Sequence, residues 1–171
     1  RVTDADGNII QYDYSTDQTL HPGEYRQSFT DQLGYTTHET LDDRGNVVRE
    51  EDPEGGVTLR TFDADDRVLT ETVVVGLVDP AGDESNDLTT TYEYDEATGD
   101  LLNSIDPRGH ETTTIYNAYG QPVTRTDEFD NVTITTYDDR GLPFSVEDPN
   151  GNVTELTYDP DGHLTHVYND E

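Results

Sequence analysis

The chain has 171 residues and a formal net charge of −30, from 39 acidic and 9 basic residues. A surface this acidic repels phosphate groups, so nucleic acid is excluded as an expected partner. Without Cys the chain has no disulfide or thiolate chemistry, and without a long apolar run we expect no membrane insertion. The absence of Met favours a piece of a longer protein.

A turn signal repeats along the whole chain. Four-residue units that open with Asp, most of them Asp-x-x-Gly, begin at Asp4, Asp31, Asp52, Asp79, Asp106, Asp127 and Asp148. The steps between them are 21 or 27 residues, so 21 is the base unit. Asp, Pro and Gly in this order predict a tight turn, because Asp bonds nearby backbone, Pro presets φ and Gly accepts positive φ. A fixed period of this length indicates a repeat architecture.

Two columns of residues keep step with these turns. The first, mostly aromatic, precedes a second turn signal: Tyr14, Leu41, Phe62, Tyr94, Tyr116, Tyr137 and Tyr158. The second stands four residues earlier and is mostly Thr: Ile10, Thr37, Thr58, Thr90, Thr112, Thr133 and Thr154. The segments between turns are rich in Thr, Val, Ile and Tyr, which favour strands. Each unit is therefore predicted to be two strands joined by two tight turns.

In chain order, residues 1–14 are predicted to form a first, partial repeat. Residues 15–30 are predicted to hold an insertion with an enlarged turn at His21-Pro22-Gly23. Two regular repeats follow, over residues 31–51 and 52–72.

Residues 73–87 are predicted to be a second insertion, apolar at its start and acidic after it. From Asp106 to Tyr168 the register holds without a gap. The predicted fold is all-β, an antiparallel meander of about fourteen short strands built from seven repeats of 21–27 residues. No linker divides the chain, so a single domain is expected over residues 1–171.

The return strands give two more expectations. Pro122 and Pro143 lack a backbone N–H, so their strands should be bulged or locally unpaired. Adjacent apolar columns, such as Val47 and Val48, should point to opposite faces and give both faces some apolar surface. The aromatic column is expected to form cross-strand stacks.

The combination of Tyr-Asp-x-x-Gly with Asp-Pro-x-Gly resembles the YD repeat, also called the Rhs repeat. Tyr137-Asp138-Asp139-Arg140-Gly141 followed by Asp148-Pro149-Asn150-Gly151 shows the pattern best. The chain departs from it at Leu41 and Phe62, and at Asp66 and Asp130, which replace Gly. The resemblance implies long β-sheets that spiral into hollow shells, as in bacterial toxin carriers and teneurin cell-surface proteins. It gives no catalytic role to any residue of this chain.

No candidate catalytic, cofactor-binding or metal site is predicted, because the carboxylates are spread evenly and the His residues are scattered. His163 and His166, three residues apart in a predicted strand, should point to opposite faces. Asp4-Ala5-Asp6-Gly7 and Asp159-Pro160-Asp161-Gly162 are similar to calcium loops but lack the later ligands of an EF-hand. Weak, distributed binding of cations, calcium included, stays open.

Two function classes follow, both resting on the resemblance. The first is a non-catalytic segment of a shell, stalk or filament in a secreted or cell-surface protein, associating with further repeats or other copies of the chain. The acidic surface then indicates adaptation to high salt, which screens its self-repulsion. The second is a binding module that recognises glycan or a cell-surface partner through an exposed Tyr/Thr face. Tyr92 and Tyr94 are the local candidates for it.

Overall fold

The computed structural model of the chain describes residues 2–3, 9–13, 22–75 and 86–170, the first two ranges by their backbone alone. The predicted turns at Asp4 and Asp79, the aromatic position Tyr14 and His21 lie outside the described residues, as does most of the predicted insertion 73–87.

The regular elements of the described residues are all strands. They are β1 (Val2–Thr3), β2 (Ile9–Asp13), β3 (Tyr25–Thr30), β4 (Thr36–Leu41), β5 (Val47–Glu51), β6 (Val57–Phe62), β7 (Val68–Val74), β8 (Leu88–Tyr94), β9 (Leu101–Ile105), β10 (Glu111–Tyr116), β11 (Pro122–Thr126), β12 (Val132–Tyr137), β13 (Pro143–Glu147), β14 (Val153–Tyr158) and β15 (Leu164–Asn169). Within each of the two units of the chain, the order of the strands in the sheet is their order in the sequence. The predicted all-β antiparallel meander is confirmed.

The chain divides into two units, residues 1–91 and residues 92–171. In the first unit, antiparallel ladders join consecutive strands from β1 to the start of β8. In the second unit, antiparallel ladders join consecutive strands from β9 to β15. The single domain expected over residues 1–171 stays a prediction.

The two predicted insertions are described only in part. The last residues of the range 15–30 form β3, which pairs with β2 and β4 along its length. The first residues of the range 73–87 complete β7. The amide of Val75 donates to Oδ1 of Asp87 at 2.9 Å, which ties together the two ends of the second insertion.

A β-bulge follows the aromatic column in five hairpins. The register shifts at Leu41, Phe62, Tyr116, Tyr137 and Tyr158, each of which ends its strand. Opposite Tyr116, for example, the return strand carries both Pro122 and Val123 before Thr124 resumes the ladder with Ile115. The predicted irregularity at Pro122 and Pro143 is found, but it does not depend on Pro, because the same shift occurs opposite Val47, Val68 and Leu164.

The bulge also corrects the assignment of faces. Strict alternation places neighbouring residues on opposite faces, whereas a bulge sets two residues of one strand against one of the other. The register puts Val47 opposite Leu41 and pairs Arg49 with Thr40, so Val48 is the extra residue. The two adjacent apolar columns are therefore the two bulge positions, so strict alternation does not apply to them and does not assign them to opposite faces.

The described residues bury few side chains. Leu41 and Val57 are the buried hydrophobic residues of residues 22–75 and 86–170, at 6% and 4% exposure, and Thr40 is the buried polar one. Many large apolar side chains stay exposed, among them Ile115, Phe144 and Val167. Within this part of the chain, no helix has the length and hydrophobicity required to cross a membrane. Ladder and turn hydrogen bonds, together with contacts between neighbouring strands, must therefore hold the fold.

Candidate functional site

Apart from the turn at Asp95, which is one residue longer, the tight turns that begin with Asp or Asn share one geometry, which the turn of residues 148–152 illustrates. The amide of Asp148 donates to the carbonyl of Asn152, and the amide of Gly151 donates to the carbonyl of Asp148, both at 2.9 Å. Oδ1 of Asp148 accepts the amides of Asn150 and Asn152 at 2.8 and 2.9 Å. This is a three-residue hairpin loop, in which a type I turn precedes a residue with positive φ. The predicted turn chemistry is confirmed here.

The fourth turn position requires positive φ even where Gly is missing. Asp66 and Asp130 hold φ values of 64° and 62°, in place of the Gly that the other turns use. Positive φ strains any residue with a side chain, and Asp tolerates it better than most. At Gly141 there is a second constraint, because an added Cβ would lie 3.1 Å from Nε2 of Gln121.

In seven turns the carboxylate at the first position is held in its charged form. The pKa values of Asp63, Asp106, Asp138 and Asp159 lie below the usual Asp value, chiefly because the backbone amide four residues on donates to the carboxylate. At Asp127 and Asp148 the largest cause of the lowered pKa is the side-chain amide of Asn131 or Asn152. Desolvation is the largest influence on the pKa of Asp42 and would raise it, but hydrogen bonds from Asn46 and Arg44 outweigh it and lower the pKa.

The hydroxyls of the aromatic column bond to backbone. Oη of Tyr116 donates to the carbonyl of Leu101 at 3.1 Å, and Oη of Tyr137 donates to the carbonyl of Pro122 at 2.9 Å. Each bond spans 15 residues and reaches the first residue of the neighbouring strand. None of the ring contacts found in the described residues involves Tyr116, Tyr137 or Tyr158. The expected stacks are therefore not found at these three rings, and Tyr116 and Tyr137 form hydroxyl–carbonyl bonds instead.

Hydroxyl groups of neighbouring strands pair with one another, but these pairs do not involve the predicted Thr column. The bonded pairs are Thr30–Thr36, Thr61–Thr70, Thr72–Thr89, Thr136–Ser145 and Thr157–Thr165, at 2.7 to 3.1 Å. None of these side chains belongs to the column of Thr37 and its equivalents. The register explains the difference, because the column faces unlike partners such as Glu50 opposite Thr58 and Arg125 opposite Thr133.

Turns that follow the aromatic column, here called Tyr-side turns, are bonded to one another. Nη1 of Arg44 donates to the carbonyl of Asp63 at 2.7 Å, and Nη1 of Arg140 donates to the carbonyl of Asp159 at 2.8 Å. Both Arg residues occupy the third turn position, and both reach forward by 19 residues. Successive repeats are therefore joined beyond their strand ladders.

The fifth position of the Tyr-side turns makes a second connection. Nδ2 of Asn46 donates to Oδ1 of Asp66 at 2.7 Å, and Nε2 of Gln121 donates to the carbonyl of Gly141 at 2.8 Å. In both cases the acceptor lies 20 residues further on, at the fourth position of the following turn. Sequence reasoning missed these bonds, although Arg at position three and Asn or Gln at position five recur in the repeats.

One open groove lies between two Tyr-side turns of the second unit. It has a volume of about 500 Å³ and is lined by Asn117, Tyr119, Gln121, Tyr137, Asp138, Asp139, Arg140 and Gly141. The ring of Tyr119 is 89% exposed, so it forms an accessible side of the groove. A groove of this size can hold one side chain or a small ligand.

The His residues do not form one site. His38 lies in β4 and pairs with Glu51, whereas His110 and His163 occupy the fifth position of turns and contact Oδ2 of Asp106 and Asp159 at 3.1 Å. His163 therefore precedes the strand in which it was expected. His166 lies within β15, with its ring stacked on that of Tyr168.

One group of potential metal ligands is present among the described residues. Single ligand atoms of Asp159, Asp161 and His163 lie within 4.8 Å of one another. The sequence indicated the two carboxylates of this turn but not the contribution of His163. All three residues have structural reasons to be there, since Oδ1 of Asp159 accepts the amides of Asp161 and His163 at 2.9 and 2.8 Å.

This geometry can be compared with that of known proteins. The family model described as RHS Repeat matches residues 137–170, which span β13, β14 and β15 with the turns between them. This segment is similar to the RHS repeat. The resemblance to the YD, or Rhs, repeat family is thereby confirmed. No match is found among curated proteins.

Several solved structures resemble most of the chain. The crystal structure of TcdB2-TccC3 without its hypervariable C-terminal region matches with a TM-score of 0.66 and 20% identity, over 98% of this chain. The Tc holotoxin pore of Photorhabdus luminescens, with a mutated TccC3, matches with a TM-score of 0.62 and 22% identity, over 98% of this chain. This chain spans 9% of the length of each of those chains. At these identities the likeness shows the fold.

Proposed function

We propose that the chain is a non-catalytic structural segment of an RHS-repeat wall in a secreted or cell-surface protein. The observation that carries the proposal is the joining of successive repeats by turn-to-turn bonds from Arg44, Asn46, Gln121 and Arg140. With so few side chains buried among the described residues, each repeat depends on its neighbours for stability. That dependence is the defining property of repeat arrays.

The proposed partner is a further repeat, or another copy of the chain, at the strand β15. All six residues of β15 are exposed, and among the described strands β15 pairs with β14 alone. A terminal strand presents unpaired backbone groups that invite a further strand. Val167 and Tyr168 add apolar side chains there, with exposures of 52% and 54%.

The acidic surface belongs to the same proposal as an adaptation to high salt. With a formal net charge of −30, the chain repels both itself and its copies at low ionic strength. At molar salt the Debye length falls to about 3 Å, so copies can approach one another. Weak binding of cations by the turn carboxylates, calcium included, would act in the same direction.

Sedimentation velocity tests this proposal directly. In molar NaCl the purified chain should show a sedimentation coefficient that rises with concentration, and the rise should be much smaller in dilute salt. The variant Val167→Lys places a charge on the terminal strand and should suppress the association. Phe129→Lys adds the same charge at an exposed turn and serves as the matched control, because Phe129 is 70% exposed and remote in sequence from β15.

Each outcome has a plain meaning. Association that Val167→Lys removes and Phe129→Lys keeps supports pairing at β15. A chain that stays monomeric at high concentration in molar salt contradicts association between copies, and equal loss in both variants contradicts the assignment to β15. Calcium at matched ionic strength should add no more than a small further effect if cation binding is weak and distributed.

The alternative proposal is a binding module for glycan or a cell-surface partner. Its candidate residues Tyr92 and Tyr94 are half-buried in β8, which leaves less ring surface for a sugar than the exposed Tyr119 offers. Glycan-array binding by the parent chain would support this alternative. Glycan binding that is lost in Tyr92→Ala and kept in Tyr119→Ala would favour the candidates Tyr92 and Tyr94.

A further inference from the structure

In two other Tyr-side turns, here called sister turns, an Arg guanidinium occupies the position that corresponds to the groove beside Tyr119. Arg44 and Arg140 occupy the third position of their turns, and each donates Nη1 to the carbonyl at the first position of the following Tyr-side turn. Arg44 adds an ion pair with Asp66, at 2.9 Å from Nη1 to Oδ1. The fold therefore builds the same guanidinium-binding position twice, once in each unit.

In the turn of residues 117–121 the third position is Tyr119, which cannot make this contact. The corresponding acceptor is the carbonyl of Asp138. It accepts the amide of Gly141 at 2.9 Å, and no side chain in the described part of the chain is bonded to it. A carbonyl oxygen has two lone pairs, so Asp138 retains capacity for one more donor. Asp63 and Asp159 use that capacity to bind Arg44 and Arg140.

The groove supplies more than the carbonyl. Tyr119, Tyr137 and Asp139 line it, and so does Arg140, whose guanidinium is already paired with the carboxylate of Asp138 at 2.9 Å. A planar guanidinium stacks on aromatic faces and pairs with carboxylates, so Tyr119, Tyr137 and Asp139 are residues of the kind that bind it. The formal charge of −30 favours a cationic occupant over a neutral or anionic one.

We propose that this groove binds the guanidinium of an arginine side chain presented by another protein chain. The bound guanidinium donates to the carbonyl of Asp138, as Arg44 and Arg140 donate to its counterparts. The chain itself offers one such arginine. Arg108 is exposed at the third position of its turn, and its guanidinium makes no hydrogen bond or ion pair with the described residues. This proposal does not rest on pairing at β15, which uses a different part of the fold.

The test uses two-dimensional amide NMR of the full chain with the peptide acetyl-Gly-Arg-Gly-amide as the probe, at fixed ionic strength. The amides of Gly141 and Leu142 should shift saturably on addition of the peptide. The peptide acetyl-Gly-Lys-Gly-amide should bind at least several-fold more weakly, because an ammonium has no planar fork. Equal binding of the two peptides would overturn the proposal in favour of non-specific attraction to an acidic surface.

A variant that fills its own groove gives the sharper result. In Tyr119→Arg the new side chain should bond to the carbonyl of Asp138, and binding of the Arg peptide should fall at least tenfold while the spectrum stays folded. Phe129→Arg adds the same side chain at the third position of the turn between β11 and β12, at the opposite end of these strands from the groove. It should leave binding unchanged. Unaltered binding in Tyr119→Arg would overturn the proposal.

A variant that should gain a binding site complements the loss of binding expected in Tyr119→Arg. Arg44→Tyr removes the internal guanidinium from the sister position and should create a second site, seen as shifts at Asp66 and Arg67 on peptide addition. Arg108→Ala identifies which chain supplies the arginine. If the amide of Gly141 shifts with protein concentration alone in the parent but not in this variant, the arginine belongs to a second copy. Absence of these shifts in the parent, with peptide binding intact, assigns it to another protein.

Discussion

The hydroxyl of Tyr137 donates to the backbone carbonyl of Pro122, 2.9 Å away on the neighbouring strand. The ladder between the two strands ends at Thr124 and Ile134, because the bulge displaces Pro122 and Val123 from it. The phenol therefore satisfies a carbonyl that the bulge has released. Tyr116 and Leu101 form the same hydroxyl–carbonyl bond 21 residues earlier, which gives these two tyrosines of the aromatic column a structural role.

Removal of this hydroxyl should destabilise the second unit. Tyr137→Phe leaves the carbonyl of Pro122 without its partner, and we expect the free energy of unfolding to fall by about 1 kcal/mol. Urea unfolding in molar salt measures the change. Tyr158→Phe is the matched control, because the hydroxyl of Tyr158 makes no hydrogen bond with the described residues. The unfolding midpoint of this variant should stay close to that of the parent. Equal losses in both variants would contradict the assigned role.

Replacement of the strained Asp130 should stabilise the chain. Its φ of 62° is left-handed, and Gly adopts such a conformation without the steric cost, so Asp130→Gly should raise the free energy of unfolding by about 0.5–1 kcal/mol. Asp66→Gly relieves the same strain but removes the acceptor of Asn46 and Arg44, so its net gain should be smaller. Urea midpoints of the two variants, compared at one salt concentration, should rank Asp130→Gly above Asp66→Gly.

Stability should fall in acid because of the turn carboxylates. Their pKa values are lowered in the folded chain, as at Asp127 and Asp148, so their stabilising effect is present above the ordinary Asp pKa. It is lost as the pH falls through the lower folded values, that is, below about pH 4. Urea midpoints measured from pH 7 to pH 2 in molar salt, which screens the general repulsion, should decline in that range.

A pair of substitutions isolates the cause of the acid effect. Asn117 already occupies the first turn position, and its Oδ1 accepts the amides of Tyr119 and Gln121, so Asp127→Asn with Asp148→Asn should keep both turns. This double variant should show a smaller acid-induced decline than the parent. An identical decline would place the titration elsewhere. Asp148→Ala, which removes the acceptor, should lower the urea midpoint at neutral pH.

The turn-to-turn bond of Arg140 should stabilise the end of the second unit. Arg140→Ala removes the hydrogen bond to the carbonyl of Asp159, and we expect a loss of about 0.5–1.5 kcal/mol. Amide hydrogen exchange should accelerate in β14 and β15 more than in β9 and β10. Arg108→Ala is the control at a protein concentration low enough to keep the chain monomeric, since the guanidinium of Arg108 makes no hydrogen bond with the described residues, and it should leave both regions unchanged. Uniform acceleration across the second unit would contradict a local role.

The sequence was sufficient to predict the fold because turn chemistry and strand propensity share one period. Asp-Pro-x-Gly at residues 148–151 determines a turn by local interactions alone, and the intervening strand length follows from the spacing. The bulge could not be predicted at Val47, Val68 or Leu164, since nothing in those side chains prevents regular pairing. Its signal was the adjacent apolar column, which strict alternation assigned to two faces.

The candidate site was harder to predict, because it depends on contacts between repeats. The bonds of Arg44 to Asp63 and of Arg140 to Asp159 join residues 19 apart, and their existence requires two turns to be placed side by side. The sequence shows Arg at the third position of two turns and Tyr at that of a third. Only the structure shows that this difference leaves a carbonyl free and a groove open.

Negative-stain electron microscopy of the purified chain, in molar salt and in dilute salt, tests most directly whether copies of the chain associate. Rods or tubes should form in molar salt, because copies pair at the strand β15 once their repulsion is screened. Val167→Lys should shorten or abolish these particles. Isolated small particles of the parent chain at every concentration in molar salt would contradict association between copies.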